Sequence, residues 1–125
     1  MGSTPPARLR FPRSNRIKKK GDFMRARAQG QRLVCGCLIA NVLPRPEGSS
    51  NRLGVVTSKK VGEAVGRSRA RRLLRESFRL HQHELERPVD LVLVARPSIA
   101  GKAFADVERD LLRALRSARF LKQAE

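Results

Sequence analysis

The chain is poor in acidic residues and in large aromatic residues. Its 125 residues include 11 aspartates and glutamates against 28 lysines and arginines, a formal net charge of +17, and it has five phenylalanines but no tryptophan or tyrosine. A two-metal nuclease needs several carboxylates drawn together. Here only Asp106 and Asp110 share a helical face, and the arginines beside them predict a solvated, charged surface. The pattern favours a binding protein with no catalytic residues of its own.

Other signals of enzymes and membrane proteins are missing as well. There is no Walker-type glycine-rich loop, and no serine or cysteine nucleophile has an orienting base. No apolar run approaches the roughly 18 residues of a membrane span, and the basic N-terminal stretch lacks the apolar part of a secretory signal. We therefore expect a cytoplasmic protein with no membrane partner.

Cysteine is limited to Cys35 and Cys37. A disulfide between them would be strained, because residues two apart on a strand point the same way. A zinc site with His81 and His83 is the alternative, but both pairs are spaced more closely than zinc ligand pairs usually are. We expect reduced thiols, no protein-bound metal, and two exposed histidines near a helix end.

The positive charge is concentrated between residues 66 and 80, which hold six arginines and one acid. Helical spacing places Arg67, Arg71, Arg75 and Arg79 four residues apart, and Arg72 widens the same face. The opposite face carries Ala70, Leu73, Leu74, Ser77 and Leu80. Like charges at this spacing repel by about 0.2–0.5 kcal/mol per pair, and we expect only Glu76, one turn beyond Arg72, to offset that repulsion. Forked guanidinium donors suit phosphate, so nucleic acid is the expected partner.

The remaining periodicity predicts an α+β fold in which helices pack on a small sheet. Residues 1–15 are expected to form a flexible basic N-terminal arm, and residues 16–122 a single RNA-binding domain. The predicted elements are a helix over 18–29, a strand over 33–43, a strand over 52–57 antiparallel to it, the arginine helix over about 66–85, a strand over 89–95 buried on both faces, and a helix over 102–119.

A composite motif then resembles a known family. Ser58-Lys59-Lys60-Val61-Gly62, followed by the arginine segment, is similar to the bacterial ribonuclease P protein component, whose signature is Ser/Ala-Lys-Lys and then Arg-Asn-Arg-x-Lys-Arg-x-x-Arg-Glu. The resemblance covers about residues 9–120. Other segments agree in order and spacing: Phe11-Pro12-Arg13, Asp22-Phe23, Arg52 to Val56, and Asp90 to Arg96.

The resemblance implies the protein subunit of a ribonucleoprotein endonuclease. Such a subunit binds ribonuclease P RNA, as a monomer in a 1:1 complex, and contacts the 5′ leader of precursor tRNA. The holoenzyme removes that leader by magnesium-dependent hydrolysis, with the chemistry and the Mg²⁺ requirement residing in the RNA and no cofactor on the protein. The family fold also implies a mixed sheet with a left-handed crossover around the arginine helix, which periodicity cannot show because right-handed connections are the default.

The resemblance also assigns binding residues. Those implied for the catalytic RNA are Lys59, Lys60, Arg67, Ser68, Arg69, Arg71, Arg72 and Arg75. Those implied for the leader are Phe23, Arg27, Ile39 and Asn41, although a core position is an equal alternative for Phe23. Ser68 replaces the usual asparagine, and Arg27 and Asn41 replace aromatic residues of some members. Since a stacked base contributes about 1–3 kcal/mol, we expect leader binding here to depend on Phe23, charge and hydrogen bonds.

Two other functions remain open at this point. The chain would also suit a free-standing RNA-binding module, such as a ribosomal protein. A protein-only nuclease would cleave RNA with no RNA subunit present.

Overall fold

The protein is built on a four-stranded mixed sheet with helices on both faces. The computed structural model describes residues 15–122, so most of the predicted arm, residues 1–14, lies outside the described part. In chain order the elements are α1 (Lys20–Gln29), β1 (Gln31–Cys35), β2 (Leu38–Pro44), β3 (Arg52–Val56), α2 (Ala64–His81), β4 (Val89–Ala95) and α3 (Phe104–Ser117). The predicted α+β fold with a small mixed sheet is confirmed.

The strand order is β1-β2-β4-β3. β2 pairs antiparallel with both β1 and β4, whereas β3 pairs parallel with β4. The predicted antiparallel pairing of the strand over 52–57 with the strand over 33–43 is therefore wrong, because β4 lies between β2 and β3. A parallel pair needs a long crossover, and α2 provides it. The left-handedness of this crossover stays a prediction.

The single strand predicted over 33–43 is wrong, because the chain forms a hairpin there. β1 and β2 are joined at Gly36, whose φ of +56° suits glycine, and Cys35 pairs with Leu38 across the turn. A Cβ on Gly36 would lie 2.1 Å from Oδ2 of Asp110. Apolar residues continue through both strands, so hydrophobicity alone did not reveal the turn.

The helices and β4 follow the predicted order with shifted ends. α2 begins and ends earlier than the predicted 66–85, because Glu63 is extended and residues Gln82–Glu84 form a 3₁₀ turn. α3 is shorter than the predicted 102–119. β4 is buried on both faces except at Val94, as expected. Within residues 15–122, no helix is long and apolar enough to cross a membrane.

Successive residues along the strands point to opposite faces of the sheet and belong to two different apolar clusters. The larger one packs α2 and α3 against one face, and its members include Leu74, Phe78, Leu91, Leu93, Leu111 and Leu115. The smaller one lies under α1 and consists of Ile17, Ala26 and Val92, with Phe23 packed against it. The predicted apolar side of α2 is thus confirmed, and α1 occupies a sheet face of its own.

Asp110 is not part of a solvated surface, as the sequence suggested, but is only 3% exposed. Its carboxylate accepts the backbone N–H of Cys37 at 3.0 Å and thereby ties α3 to the hairpin. Burial opposes ionisation of Asp110, but the hydrogen bonds from Cys37 and the charge of Arg109 outweigh it and lower its pKa. Burial, and then Asp110, raise the pKa of the Cys37 thiol to about 12.

His81 is half-buried rather than exposed, which corrects the sequence interpretation. Its Nδ1 contacts Glu84, and its Nε2 lies 2.7 Å from Oε2 of Glu108, so the ring links the end of α2 to α3. Burial lowers the pKa of His81, but the two carboxylates outweigh it and raise the pKa overall. Among the described residues, no group of three or more His, Cys, Asp or Glu side chains is arranged to hold a metal ion, and both cysteines are free.

The raised pKa of His81 predicts a pH-dependent contribution to stability. The contribution should be fully present below the unfolded pKa of about 6.5 and lost as pH rises through the higher folded pKa. We measure the free energy of unfolding in urea for the wild type and for His81→Asn at about pH 5.5 and about pH 8.5. The difference between the two proteins should be larger at the acidic pH. His83→Asn, at an exposed position nearby, is the matched control. An equal His81→Asn effect at both pH values would contradict this account.

Candidate nucleic-acid interface

One side of α2 carries the arginine face, defined here as Arg67, Arg71, Arg72, Arg75 and Arg79. The other side is anchored in the core, because Ala70, Leu74, Ser77 and Phe78 are all buried. Burial of that side fixes the rotation of the helix about its axis. The arginine face therefore points away from the larger apolar cluster, toward the surface, as the helical spacing predicted.

Several arginines on α2 are held by neutral acceptors. Arg67 Nη1 donates to the Gly62 carbonyl at 2.9 Å, and Arg71 Nη1 donates to the Thr57 hydroxyl at 2.8 Å. Arg69, beside the face, donates through Nη2 to the Lys102 carbonyl at 2.8 Å. These bonds orient the guanidinium groups without cancelling their charge, so the side chains are ordered in advance for an anionic partner.

Glu76 pairs with Arg79 and not, as expected, with Arg72. Two hydrogen bonds of 2.9 Å join Arg79 to the Glu76 carboxylate, and they hold the pKa of Glu76 below its usual range. The charge of Arg79 is therefore largely compensated. Arg72 is exposed, and in the described part of the chain it has no ion pair within 4.0 Å.

The loop before α2 extends the same surface. Lys59 and Lys60 are exposed and lie in a 3₁₀ turn that Ser58 caps by accepting the Lys60 N–H at 3.3 Å. The Arg67–Gly62 hydrogen bond ties this loop to the first turn of α2. Ser68 is exposed on α2, and its hydroxyl accepts a 3.1 Å hydrogen bond from Arg71. The loop and the arginine face therefore form one continuous basic surface.

The residues implied for the leader lie elsewhere, on the sheet face covered by α1 and on α1 itself. Asn41 is buried and lies opposite Val92 in the β2–β4 register, while the half-buried Ile39 lies opposite Val94. Asn41 Nδ2 makes a long, 3.4 Å hydrogen bond to the Val92 carbonyl. Arg27 is exposed on α1. The structure thus separates the leader set from the basic surface.

Four apolar side chains in register, which were not predicted as a set from the sequence, cross this sheet face. Val34 pairs with Ile39, Ile39 with Val94, and Val94 with Val56, one from each strand. We call them the apolar row. Val34 is 50% exposed, and the other three are half-buried. The signal that could have found them is strand alternation combined with the correct hairpin register.

Phe23 has features of both a core residue and an accessible surface residue, the two alternatives predicted for it. Its ring packs against the small cluster under α1, but the residue is only half-buried. The ring lies directly over Gly54 of β3, where an added Cβ would be 2.4 Å from a ring carbon. Phe23 is thus a packing residue that keeps part of its surface accessible on the side of the sheet that carries the apolar row.

An ion network that was not predicted from the sequence holds α1 against the sheet. Arg52 of β3 donates to both Asp90 carboxylate oxygens at 2.7 Å, and its Nη1 donates to Asp22 of α1 at 3.3 Å. Asp90 is only 3% exposed, so its charge requires a partner. An aspartate inside the otherwise apolar β4 was the available signal, and the network places Phe23 by holding the helix that carries it.

The fold and the surfaces together define a class: a small basic α+β protein with an arginine-bearing crossover helix. The Ribonuclease P family model matches residues 11–119. The chain is similar to the ribonuclease P protein component of Gluconacetobacter diazotrophicus, at 38% identity over 85% of this chain and 92% of that one. It is also similar to that of Clostridium acetobutylicum, at 37% identity over 77% and 82%.

Solved structures agree with these sequence relationships. The Staphylococcus aureus RNase P protein superposes with a TM-score of 0.77 at 28% identity, covering 86% of this chain and 98% of that one. The Thermotoga maritima RNase P protein gives 0.70 at 25% identity, over 82% and 96%. The chain belongs to the ribonuclease P protein family, and as such it is a component of a ribonucleoprotein endoribonuclease.

The contact between Phe23 and Gly54 yields a stability prediction. Gly54→Ala places a methyl group inside the ring position, and overpacking of this kind costs about 1–3 kcal/mol. Urea unfolding should show this loss for Gly54→Ala, and the smaller side chain of Phe23→Leu should recover part of it in the double variant. If the two substitutions change the free energy of unfolding additively, the Phe23 ring does not occupy the position described.

Proposed function

We propose that this protein binds ribonuclease P RNA through the arginine face and the Lys59–Lys60 loop and assists magnesium-dependent removal of the 5′ leader from precursor tRNA. The observation that carries the proposal is the arrangement of Arg67 and Arg71, which are oriented by neutral acceptors and keep their full charge. A phosphodiester backbone supplies the missing negative charge, and the forked guanidinium matches phosphate oxygens.

The leader is assigned to the face under α1. The apolar row gives unstacked bases a surface to cover, and Phe23 offers the aromatic edge next to it. Arg27 on α1 and Arg32 on β1 are exposed and supply positive charge beside this surface. Asn41 is only 3% exposed and lies beneath this surface, where its amide donates to the Val92 carbonyl. This combination supports binding of a single strand with little aromatic stacking.

In this proposal the protein binds and orients RNA and does not itself cleave it. The described carboxylates of Asp22, Asp90, Asp110 and Glu76 are all engaged in internal ion pairs or hydrogen bonds. Holding leader and catalytic RNA on one rigid body lowers the entropic cost of bringing them together. The protein acts as a monomer in a 1:1 complex in the cytoplasm, with no cofactor of its own and with Mg²⁺ required by the RNA.

Reconstituted cleavage tests the proposal. The purified chain is added to ribonuclease P RNA and precursor tRNA at low magnesium, where we expect it to enhance leader removal. No enhancement would reject the proposal and favour a free-standing RNA-binding module. Because one S. aureus relative is described as a mutant with defective mRNA degradation activity, the chain alone is a necessary control. Cleavage that survives nuclease removal of the RNA subunit would favour a protein-only enzyme.

Arg72→Ala tests the contact between the arginine face and phosphate. We expect weaker binding to ribonuclease P RNA and a log–log salt slope smaller by about 0.7–0.9, the contribution of one phosphate contact. The free energy of unfolding should change by less than about 0.5 kcal/mol, because Arg72 is exposed. Arg113→Ala, which removes one exposed charge from α3, is the control. A slope equal to that of the wild type would show that Arg72 does not contact phosphate.

Ile39→Ala tests the leader surface. Removing part of the apolar row should weaken binding of precursor tRNA to the holoenzyme by about 1 kcal/mol and leave mature tRNA binding unchanged. Val55→Ala is the matched control, because Val55 is also half-buried but lies on the opposite face of the sheet. Equal losses for precursor and mature tRNA would place the leader elsewhere.

A further inference from the structure

A groove beside α2 is lined by residues of that helix and by Arg16, which lies outside it. Its lining consists of Arg16, Arg72, Arg75, Glu76 and Arg79. Arg16 precedes α1 and reaches this position because the chain there runs along the free edge of β3. Arg16 forms an isolated parallel bridge with Leu53, and the next residue, Ile17, donates its N–H to the Leu53 carbonyl at 2.9 Å.

Arg16 is the anomaly in this groove. Across residues 15–122, its Nε is the one buried side-chain nitrogen or oxygen atom that lacks a hydrogen-bond partner. Leaving a buried donor unsatisfied is energetically costly, and more so for a charged group. The fold nevertheless fixes the backbone of Arg16 against β3. A fixed donor with no acceptor among residues 15–122 is a candidate contact for a bound anion.

The arginines near Arg16 add further uncompensated positive charge to the groove. Burial lowers the pKa of Arg75, and the charges of Arg16 and Arg71 lower it further. Glu76, the acid that lines the groove, is already held by both of its hydrogen bonds to Arg79. The free protein therefore contains half-buried cations that repel each other, and the described part of the chain offers them no available carboxylate in the groove.

We propose that Arg16, Arg72 and Arg75 form a subsite for one backbone phosphate of the bound RNA. A tetrahedral phosphate accepts hydrogen bonds from several guanidinium groups at once and supplies the missing charge. The inference rests on the proposed function and adds Arg16 as a positioning and binding residue outside the arginine helix. It extends the basic surface from α2 to the edge of β3, between the arginine face and α1.

Arg16→Met tests the subsite, with Arg113→Met on α3 as a control for the loss of one charge. Binding to ribonuclease P RNA is measured over a range of salt concentrations, and unfolding of the free protein is measured with urea. For Arg16→Met we expect affinity to fall several-fold and the log–log salt slope to decrease by up to about 0.7–0.9. The free protein should be as stable as the wild type or more stable, because repulsion is relieved and no hydrogen bond is lost.

A purely structural Arg16 predicts the reverse: a less stable free protein with an unchanged salt slope. Either of those results overturns the subsite. Arg75→Met and the double variant provide a second measurement, because two groups that grip one phosphate should not have multiplicative effects on affinity. Multiplicative effects would assign them to separate contacts and reject the shared site.

The failure of this inference is distinguishable from failure of the proposed function. If the wild-type chain binds and activates ribonuclease P RNA while Arg16→Met behaves like Arg113→Met, only the subsite is rejected. Titration of inorganic phosphate, monitored by the Arg16 Nε–H resonance, separates the two sources of phosphate. If the shift of this resonance saturates at a lower concentration of RNA phosphate than of inorganic phosphate, the site binds the RNA backbone. Saturation at equal concentrations would identify a site for the free ion.

Discussion

Burial of one side of α2 is the interaction on which the rest of the molecule depends. Leu74 and Phe78 are completely buried against the sheet, and they hold the opposite side in place despite repulsion among its arginines. Within residues 15–122, Arg79 is the one member of the arginine face that pairs with a carboxylate, that of Glu76. Arg67 and Arg71 are oriented by neutral acceptors that leave their charge uncompensated. The folding energy of the core therefore maintains a surface of like charges, which a bound anion would stabilise.

A second constraint positions α1. The Arg52–Asp90 pair forms inside the sheet, and Arg52 extends to Asp22 on the helix. Phe23 then lies over Gly54, and the apolar row remains partly accessible beside it. The basic surface and the α1 face are thus separate, but they meet at the edge of β3. The proposed function assigns a structured RNA to the first surface and a single strand to the second.

Much of the fold could be predicted because its signals are local. Helical spacing predicted α2 and its buried side, and the apolar run predicted β4. The β1–β2 hairpin was missed because apolar residues continue on both sides of Gly36. The pairing of β3 with β4, the burial of Asp110 and the position of His81 between two carboxylates depend on residues far apart in sequence. For the candidate site, the arginine positions were predictable, but the acceptors that orient them, the apolar row and the unsatisfied Nε of Arg16 required the tertiary structure.

Site-directed cleavage by a tethered iron chelate tests the central claim most directly, that the two surfaces hold different RNA strands. The chelate is attached at position 68 in Ser68→Cys or at position 27 in Arg27→Cys, both exposed, with Cys35→Ser as the background and Cys37 left in place because it is buried. In the ternary complex, the probe at 68 should cut ribonuclease P RNA and the probe at 27 should cut the precursor leader. Cleavage of the same strand from both positions, or the reverse assignment, would contradict the account.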